Sequence, residues 1–326
     1  MGKTFIAELI EGEPVTSFFL AKQVQVRQRR SGERYLSLVL GDRTGEMAAV
    51  MWEGVEEACK DLTEGDIVKV QGLLGSYQRE RQLSITRLRK ATPEEVVPED
   101  YFPRSLQDPA VLRARLAETV EQMGQPYLKR LLGDLLADEV FLAAFMAAPA
   151  AKTIHHAVLG GLLEHTVSVV GLCRLLADYY PAVDRDLLLA AAMLHDVGKV
   201  RELTWDRVFD YSDAGRLLGH ITLGALLVEE RIRGIPDFPD ELAQRLLHCI
   251  LSHHGELEWG SPRRPKTLEA LVLHYAEDLD GKVNSFLGFA QSHPDPQHPG
   301  WTQFNKAMDR YLYFGRSEAT EPTPEQ

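Results

Sequence analysis

Alternation of apolar and polar side chains predicts short strands in the first part of the chain. FFLAKQVQVR at residues 18–27 and YLSLVL at residues 35–40 alternate with a period of two, and RRSG between them indicates a turn. The same reading gives strands at 47–52, 66–76 and 82–88, and a short helix at 55–62. Five short strands with a helix between the third and the fourth predict an OB-fold barrel.

A polar, proline-bearing stretch separates this region from the rest of the chain. ATPEEVVPEDYFPRS, at residues 91–105, contains three prolines and predicts a linker. From Pro109 to about Tyr313 apolar residues recur with a helical period, so the fold class is multidomain, an all-β barrel followed by an all-α domain. The predicted boundaries are 1–92 for the OB-fold domain, 93–108 for the linker, 109–314 for the all-helical domain and 315–326 for a disordered tail.

Charge is distributed unevenly between the two predicted domains. The net charge is −12 over 326 residues, yet residues 1–92 hold 14 Lys and Arg against 13 Asp and Glu. A local basic strip can bind a phosphate backbone even on an acidic protein, and aromatic side chains can stack on bases. The residues of the barrel predicted to contact single-stranded nucleic acid are Arg27, Arg29, Arg30, Tyr35 and Trp52. A small interaction barrel without this role is the alternative.

Cysteine usage and hydropathy predict a cytoplasmic protein. The chain has three scattered cysteines, which argues against a disulfide framework. Its longest apolar run, at residues 187–194, falls short of the ~20 residues that span a bilayer. The N-terminus has no long apolar segment of the signal-peptide type. We therefore expect no membrane partner, whereas the many apolar helix faces allow a homo-oligomer.

Polar, ionisable residues directly follow the same apolar run. LLLAAAML is followed at once by His195 and Asp196, with Lys199 one helical turn further on. Charged groups are rarely buried unless they are paired or bind a metal. This pattern predicts that the buried helix holds a metal-binding group at its tip, where Lys199 can contact a phosphate oxygen.

Most of the remaining histidines also lie where apolar helical sequence meets a polar break. Taken singly, each has an ordinary explanation as a hydrogen-bonded core or surface residue. Taken together, imidazoles and carboxylates suit Mn²⁺, Fe²⁺, Zn²⁺ and, with more oxygen ligands, Mg²⁺. A carboxylate can bridge two metals, and Asp196 is the natural bridge among the middle residues. The candidate metal ligands are His165, His195, Asp196, His220, His253, His254 and Asp278.

Their order resembles that of the HD superfamily of metal-dependent phosphohydrolases. Longer phrases are more specific: HHAVLGGLLEHT, MLHDVGK, LLGHITLG, ILSHHGELEWGSPRRPKTLEA and HYAEDLDGKVN. These phrases, which lie within about 152–285, strongly resemble the YhaM family of bacterial 3′→5′ exoribonucleases. That family joins an OB-fold to an HD domain, which matches the organisation predicted above.

The resemblance implies an exonuclease that trims single-stranded RNA, and in some cases DNA, from the 3′ end. It implies two divalent metal ions, with Mn²⁺ preferred and Fe²⁺, Mg²⁺, Co²⁺ and Zn²⁺ as alternatives. The implied ligands of the first metal are His165, His195, Asp196 and Asp278. Those of the second are Asp196, His220 and His253, with His254 on or beside the metal. Asp196 and Lys199 are the candidate catalytic residues, and the implied backbone contacts are Lys152, His155, His156, Arg263, Arg264 and Lys266.

Two other functions stay open at the level of sequence. One is an HD-type phosphohydrolase of nucleotides or cyclic dinucleotides, although GELEWGSPRRP after His254 lacks the GYP triplet of the cyclic-dinucleotide enzymes. The other is a non-catalytic protein that binds single strands and uses metals for structure. The leading hypothesis is a two-metal hydrolase that releases nucleoside 5′-monophosphates from single-stranded RNA.

Overall fold

The N-terminal strands close into a five-stranded barrel in a computed structural model, which describes residues 3–29, 31–77, 80–97, 100–102, 104–151, 158–205 and 210–315. The strands are β1 (Pro14–Gln28), β2 (Arg34–Asp42), β3 (Gly45–Met51), β4 (Ile67–Tyr77) and β5 (Glu80–Lys90), with the short helix α1 (Val55–Ala58) between β3 and β4. Around the barrel the order is β1-β2-β3-β5-β4. The predicted OB-fold is confirmed, with α1 shorter than expected.

The barrel closes because β1 pairs with two other strands. Its first half pairs with β4 and its second half pairs with β2, and the register shifts between Ala21 and Gln23. A bulge of this kind bends a strand enough to turn a barrel corner. The residues at alternate positions, such as Phe19, Leu36 and Leu38, fill the interior and are almost completely buried.

The predicted linker is anchored on the barrel rather than exposed throughout. Tyr101 and Phe102 are buried against Leu20 of β1. Lys3 Nζ donates to the carbonyl of Asp100 at 2.8 Å. Leu159, at the start of the helical domain, packs against the same small cluster. The aromatic pair in DYFP therefore ties both domains to one apolar contact.

The rest of the chain is mainly helical. The helices are α2 (Pro109–Glu121), α3 (Pro126–Ala137), α4 (Glu139–Ala147), α5 (Gly161–Tyr179), α6 (Arg185–Leu194), α7 (Lys199–Glu202), α8 (Asp213–Arg233), α9 (Asp240–Ser252) and α10 (Leu268–Ser292). Helix α6 lies at the centre of the core, since every residue from Leu187 to Leu194 is buried. Asp184 caps its N-terminus by accepting from the backbone N–H of Leu187.

The end of the helical domain differs from the prediction. Helix α10 ends at Ser292, and the segment that follows forms isolated β-bridges such as Trp301 to Tyr313. The expectation of helix up to about Tyr313 is therefore wrong for residues 293–313, where Pro294, Pro296 and Pro299 disfavour helix. A two-stranded hairpin, β6 (Leu203–Thr204) with β7 (Asp210–Tyr211), also interrupts the helices. Within the described ranges, no helix combines the length and apolarity needed to cross a membrane.

Candidate metal centre

The polar tip of α6 is buried together with its apolar body. His195 and Asp196 directly follow the helix and are at most 1% exposed. Lys199, at the start of α7, places its Nζ 2.7 Å from Oδ2 of Asp196 and is itself 15% exposed. An ion pair of this kind compensates a buried carboxylate only in part, because the second oxygen still needs partners.

Asp196 lies between two sets of imidazoles. Its Oδ2 is 3.5 Å from Nε2 of His165 and 3.4 Å from Nε2 of His195. Its Oδ1 is 3.5 Å from Nε2 of His220 and 3.7 Å from Nε2 of His253. Each carboxylate oxygen thus faces its own pair of imidazoles, which is the geometry that a bridging ligand requires.

The possible ligand atoms fall into two compact groups. His165, His195 and Asp196 form one group, and His220, His253 and His254 form the other, with the ligand atoms of each group within 4.8 Å of one another. Six of the seven residues predicted as metal ligands therefore meet at one place, and Asp196 of the first group also faces His220 and His253 of the second.

Every imidazole of the cluster is held by its Nδ1 atom. His195, His253 and His254 donate to the carbonyls of Ala192, Ile250 and Trp259 at 2.8, 2.7 and 2.9 Å. His165 donates to Oδ2 of Asp280 at 2.7 Å, and His220 donates to Oε1 of Glu202 at 3.0 Å. A ring whose Nδ1 donates to oxygen presents the lone pair of Nε2 when neutral, so the tautomer of all five rings suits metal binding.

A break in helix α8 places His220. Gly219 has φ 71°, a left-handed conformation that interrupts the helix, and Glu202 accepts from the backbone N–H of His220 at 2.9 Å as well as from its ring. The backbone at Gly198 also passes close to His220, because a Cβ on Gly198 would lie 2.0 Å from the carbonyl oxygen of His220. Glycine at 198 is therefore required for α7 and α8 to approach within reach of Asp196.

Helix α10 presents a different carboxylate from the one predicted. Asp280 contacts His165, and Glu277, three residues earlier, lies on the same helix face. Asp278 lies on another face, where its carboxylate pairs with Lys282 at 2.6 Å, and neither ligand group in the described part of the chain includes it. The structure therefore gives the Asp278 prediction no support, and Glu277 is the residue of this helix that interacts electrostatically with His195 and Asp196.

Burial controls the ionisation of the cluster. It lowers the pKa of His165 and of His254 to about 4, and it lowers the pKa of His253 well below its usual range. Burial raises the pKa of Glu277 to about 7. For Asp196 burial acts upward, but the charges of Lys199 and His195 outweigh it and hold the pKa well below its usual range. For His195 burial acts downward, but the charge of Asp196 outweighs it and raises the pKa. The lowered pKa values keep His165, His253 and His254 neutral beside an ionised carboxylate, as metal ligands must be.

These residues fit divalent cations. Within the described chain, Asp196 Oδ1, His220 Nε2 and His253 Nε2 are buried and take part in no hydrogen bond. Buried polar atoms without partners are costly, and several that converge on one point indicate an ion. Separations of 3.4 to 3.7 Å between ligand atoms agree with metal–ligand bonds of ~2.1 Å.

Comparison with known proteins assigns each of the two domains to a family. The HD domain family matches residues 162–282, and the family of OB-fold nucleic acid binding domains matches residues 22–91. The 3′-5′ exoribonuclease YhaM of Bacillus velezensis is 36% identical over 278 residues, which cover 83% of this chain and 86% of that protein. The YhaM proteins of Bacillus subtilis and Halalkalibacterium halodurans are 35% and 34% identical, over 84% and 93% of this chain and 86% and 93% of their own lengths.

The chain belongs to the YhaM family. The resemblance inferred from the sequence is confirmed, and so is the pairing of a barrel with an HD domain.

The predicted nucleic-acid contacts of this YhaM-family chain are brought together in part. On the barrel, the rings of Tyr35 and Trp52 lie 4.8 Å apart, and the guanidinium of Arg29 lies 3.8 Å from the Trp52 ring. Arg27 is close in sequence, but its guanidinium donates to the side chain of Gln25. Arg29, Tyr35 and Trp52 thus form one aromatic and cationic cluster at the end of the first hairpin.

The predicted backbone contacts in the helical domain are more scattered. Arg263, Arg264 and Lys266 are exposed on the loop before α10, where Arg264 pairs with Glu256 at 2.8 Å. Lys152, His155, His156 and Arg30 lie outside the described residues.

Two carboxylates that position the imidazoles were missed by sequence reasoning. Glu202 and Asp280 accept from His220 and His165, and neither stands beside its histidine in the sequence. Asp280 shares the DLD phrase with Asp278, so the helical period of α10 could have found it. Glu202 follows Lys199 by one turn and carries no comparable signal.

Proposed function

We propose that this protein is a metal-dependent 3′→5′ exoribonuclease, a hydrolase that shortens single-stranded RNA and releases nucleoside 5′-monophosphates. The observation that carries the proposal is Asp196, whose two buried oxygens each face a separate pair of imidazole Nε2 atoms. The polarity of digestion and the choice of RNA come from the YhaM relatives, whose names state both.

The proposed ligands follow the two groups of atoms. His165, His195 and Asp196 would hold one divalent cation, and Asp196 with His220, His253 and His254 would hold the other. We propose Glu277 in place of Asp278 as the carboxylate of α10 that completes the first group. Mn²⁺ is the proposed ion, and cations held there would activate a water molecule and stabilise charge on the phosphate and the leaving oxygen.

The chain's own residues have separate tasks in the hydrolysis. Asp196 stays ionised beside Lys199 and fixes the distance between the two groups of ligands. The Nζ of Lys199 is partly exposed and can also contact a phosphate oxygen of the terminal linkage. Water attacks the phosphorus, the bond from phosphorus to the 3′ oxygen of the preceding nucleotide breaks, and that oxygen takes up a proton.

The barrel would hold the RNA upstream of the bond that is cut. Arg29, Tyr35 and Trp52 offer a cation and two rings in one cluster, which suits stacking and backbone contact without strong sequence preference. The same cluster suits single-stranded DNA, which we propose as a second substrate. We also propose a cytoplasmic location, in keeping with three free cysteines, and self-association of the helical domain.

The test is digestion of 5′-labelled single-stranded RNA with Mn²⁺ by the wild type and by Asp196→Asn, resolved on a sequencing gel. A ladder that shortens from the 3′ end, present in the wild type and absent in the variant, is the expected result. Asp134→Asn, on the exposed surface of α3, is the matched control and should behave as the wild type. RNA left intact by the wild type would overturn the proposal and favour nucleotides or cyclic dinucleotides as substrates.

A further inference from the structure

An exposed tryptophan lies on the loop directly after the His253–His254 pair. Gly255 and Gly260 bracket the loop, both with positive φ, at 80° and 84°. A Cβ at position 255 would lie 2.3 Å from the ring of His274, so only glycine fits at this position. Trp259, inside the bracket, is nevertheless 54% exposed. The loop therefore leaves this ring accessible to solvent.

The loop is joined to the metal centre at two points. The carbonyl of Trp259 accepts from Nδ1 of His254 at 2.9 Å. His274, whose ring centre is 6.0 Å from that of Trp259, donates from Nδ1 to the carbonyl of His253 at 2.9 Å. The backbone that carries Trp259 is therefore held beside two of the proposed ligands.

The surroundings of the indole suit a nucleotide. Lys282 of α10 pairs with Asp278 at 2.6 Å, and its largely exposed Nζ lies 5.9 Å from the centre of the Trp259 ring. Tyr275, two turns earlier in the same helix, is 61% exposed, and its ring centre lies 4.9 Å from that of His274. Flat faces with a cation alongside form the combination that stacks on a base and attracts its phosphate.

We propose that Trp259 forms a base-stacking subsite for one of the nucleotides at the 3′ end of RNA, with Lys282 beside its phosphate. The inference rests on the proposed exonuclease function and names a binding residue for it. Stacking at this position places the terminal linkage next to the ligands that Trp259 adjoins, and it acts on any base because every base has an aromatic face.

The test combines a protein variant with a substrate variant. The kcat/KM of the first cleavage is measured for the wild type and Trp259→Ala on a short RNA and on RNAs with one abasic residue at the last, second-last or third-last position. Loss of one base–aromatic stack should lower kcat/KM about 5- to 150-fold. At the position that stacks on Trp259, the abasic change should lower the kcat/KM of the wild type but cause little further loss in Trp259→Ala. At the other positions it should lower the kcat/KM of both proteins by the same factor. Trp259→Phe should retain most of the activity.

Controls separate stacking from other roles of the loop. Trp301→Ala removes another exposed tryptophan, in the segment after α10, and should leave the pattern of abasic effects unchanged. Equal abasic losses at every position in the wild type and Trp259→Ala would overturn the subsite, as would a change of oligomeric state in Trp259→Ala, which would identify a protein interface.

A binding measurement distinguishes failure of the subsite from failure of the proposed function. With EDTA present, a short RNA should quench tryptophan fluorescence in the wild type more than in Trp259→Phe. Cleavage of intact RNA by the wild type together with equal quenching in both proteins would reject the subsite alone. Intact RNA left uncut by the wild type would reject the exonuclease, and the difference in quenching would then decide on the stacking site by itself.

Discussion

Replacement of Glu202 by glutamine should weaken one of the two metal sites and leave the other intact. Oε1 of Glu202 accepts from the backbone N–H of His220 at 2.9 Å and from its Nδ1 at 3.0 Å. The side chain is 9% exposed, so water replaces these bonds poorly. Glutamine keeps an acceptor oxygen but removes the charge that makes both bonds strong and the ring a better donor to metal.

The size of the effect follows from those two bonds. A hydrogen bond to a charged group contributes about 1.5–3 kcal/mol and one between neutral groups about 0.5–1.5 kcal/mol. Their difference is on the order of 1–3 kcal/mol for the pair, or about 5- to 150-fold in affinity. This agrees with the ~10- to 100-fold losses typical when a residue that orients a metal-binding histidine is changed.

The assay is calorimetric titration of metal-stripped protein with Mn²⁺. The wild type should bind two ions, and Glu202→Gln should weaken one of them by the factor given above. Asp280→Asn is the matched variant for the other group, because Asp280 accepts from Nδ1 of His165 at 2.7 Å. The double variant should then weaken both sites, with losses that add apart from coupling through Asp196.

The reasoning would be refuted if Glu202→Gln and Asp280→Asn weakened the same site. Unchanged affinities in Glu202→Gln, with the fold retained, would equally show that the carboxylate does not orient His220.

Three further results are expected. Gly198→Ala should lower the free energy of unfolding by about 1–3 kcal/mol in chemical denaturation, because its Cβ would overlap the carbonyl of His220; an unchanged midpoint would contradict the close packing. Glu277→Gln should reduce Mn²⁺ affinity in the same titration, whereas its neighbour Asp278→Asn should not, and the reverse outcome would restore Asp278 as the ligand. Trp52→Ala should weaken binding of single-stranded RNA, measured by fluorescence anisotropy in EDTA, by about 5- to 150-fold, and equal affinity would remove the barrel cluster from the interface.

Local patterns were sufficient for the barrel and for the centre of the site. A period of two in β1 and β2 reflects the alternation of inner and outer faces in a closed barrel, so strand positions could be predicted from the order of apolar and polar residues. The tip of α6 could be predicted because eight apolar residues precede His195, and a buried helix must place its polar end against partners.

The sequence did not predict site residues whose role depends on which face of a helix points inward or on a contact between distant parts of the chain. Glu277 and Asp278 are adjacent acids, and only the contact of Asp280 with His165 shows which face of α10 points inward. Glu202 acts across a kink at Gly219 that no periodicity reveals. Helix was also expected after Ser292, although prolines in the following segment limit it there.

The five Nδ1 contacts have a consequence for how the protein obtains its metals. Because main-chain carbonyls and two carboxylates already orient every imidazole, the cost of ordering the rings is met when the chain folds and not when a cation arrives. Cations of similar size can therefore exchange without remodelling the domain. We therefore expect the choice among such cations to depend on ligand type and metal availability, and not on a rearrangement of the domain.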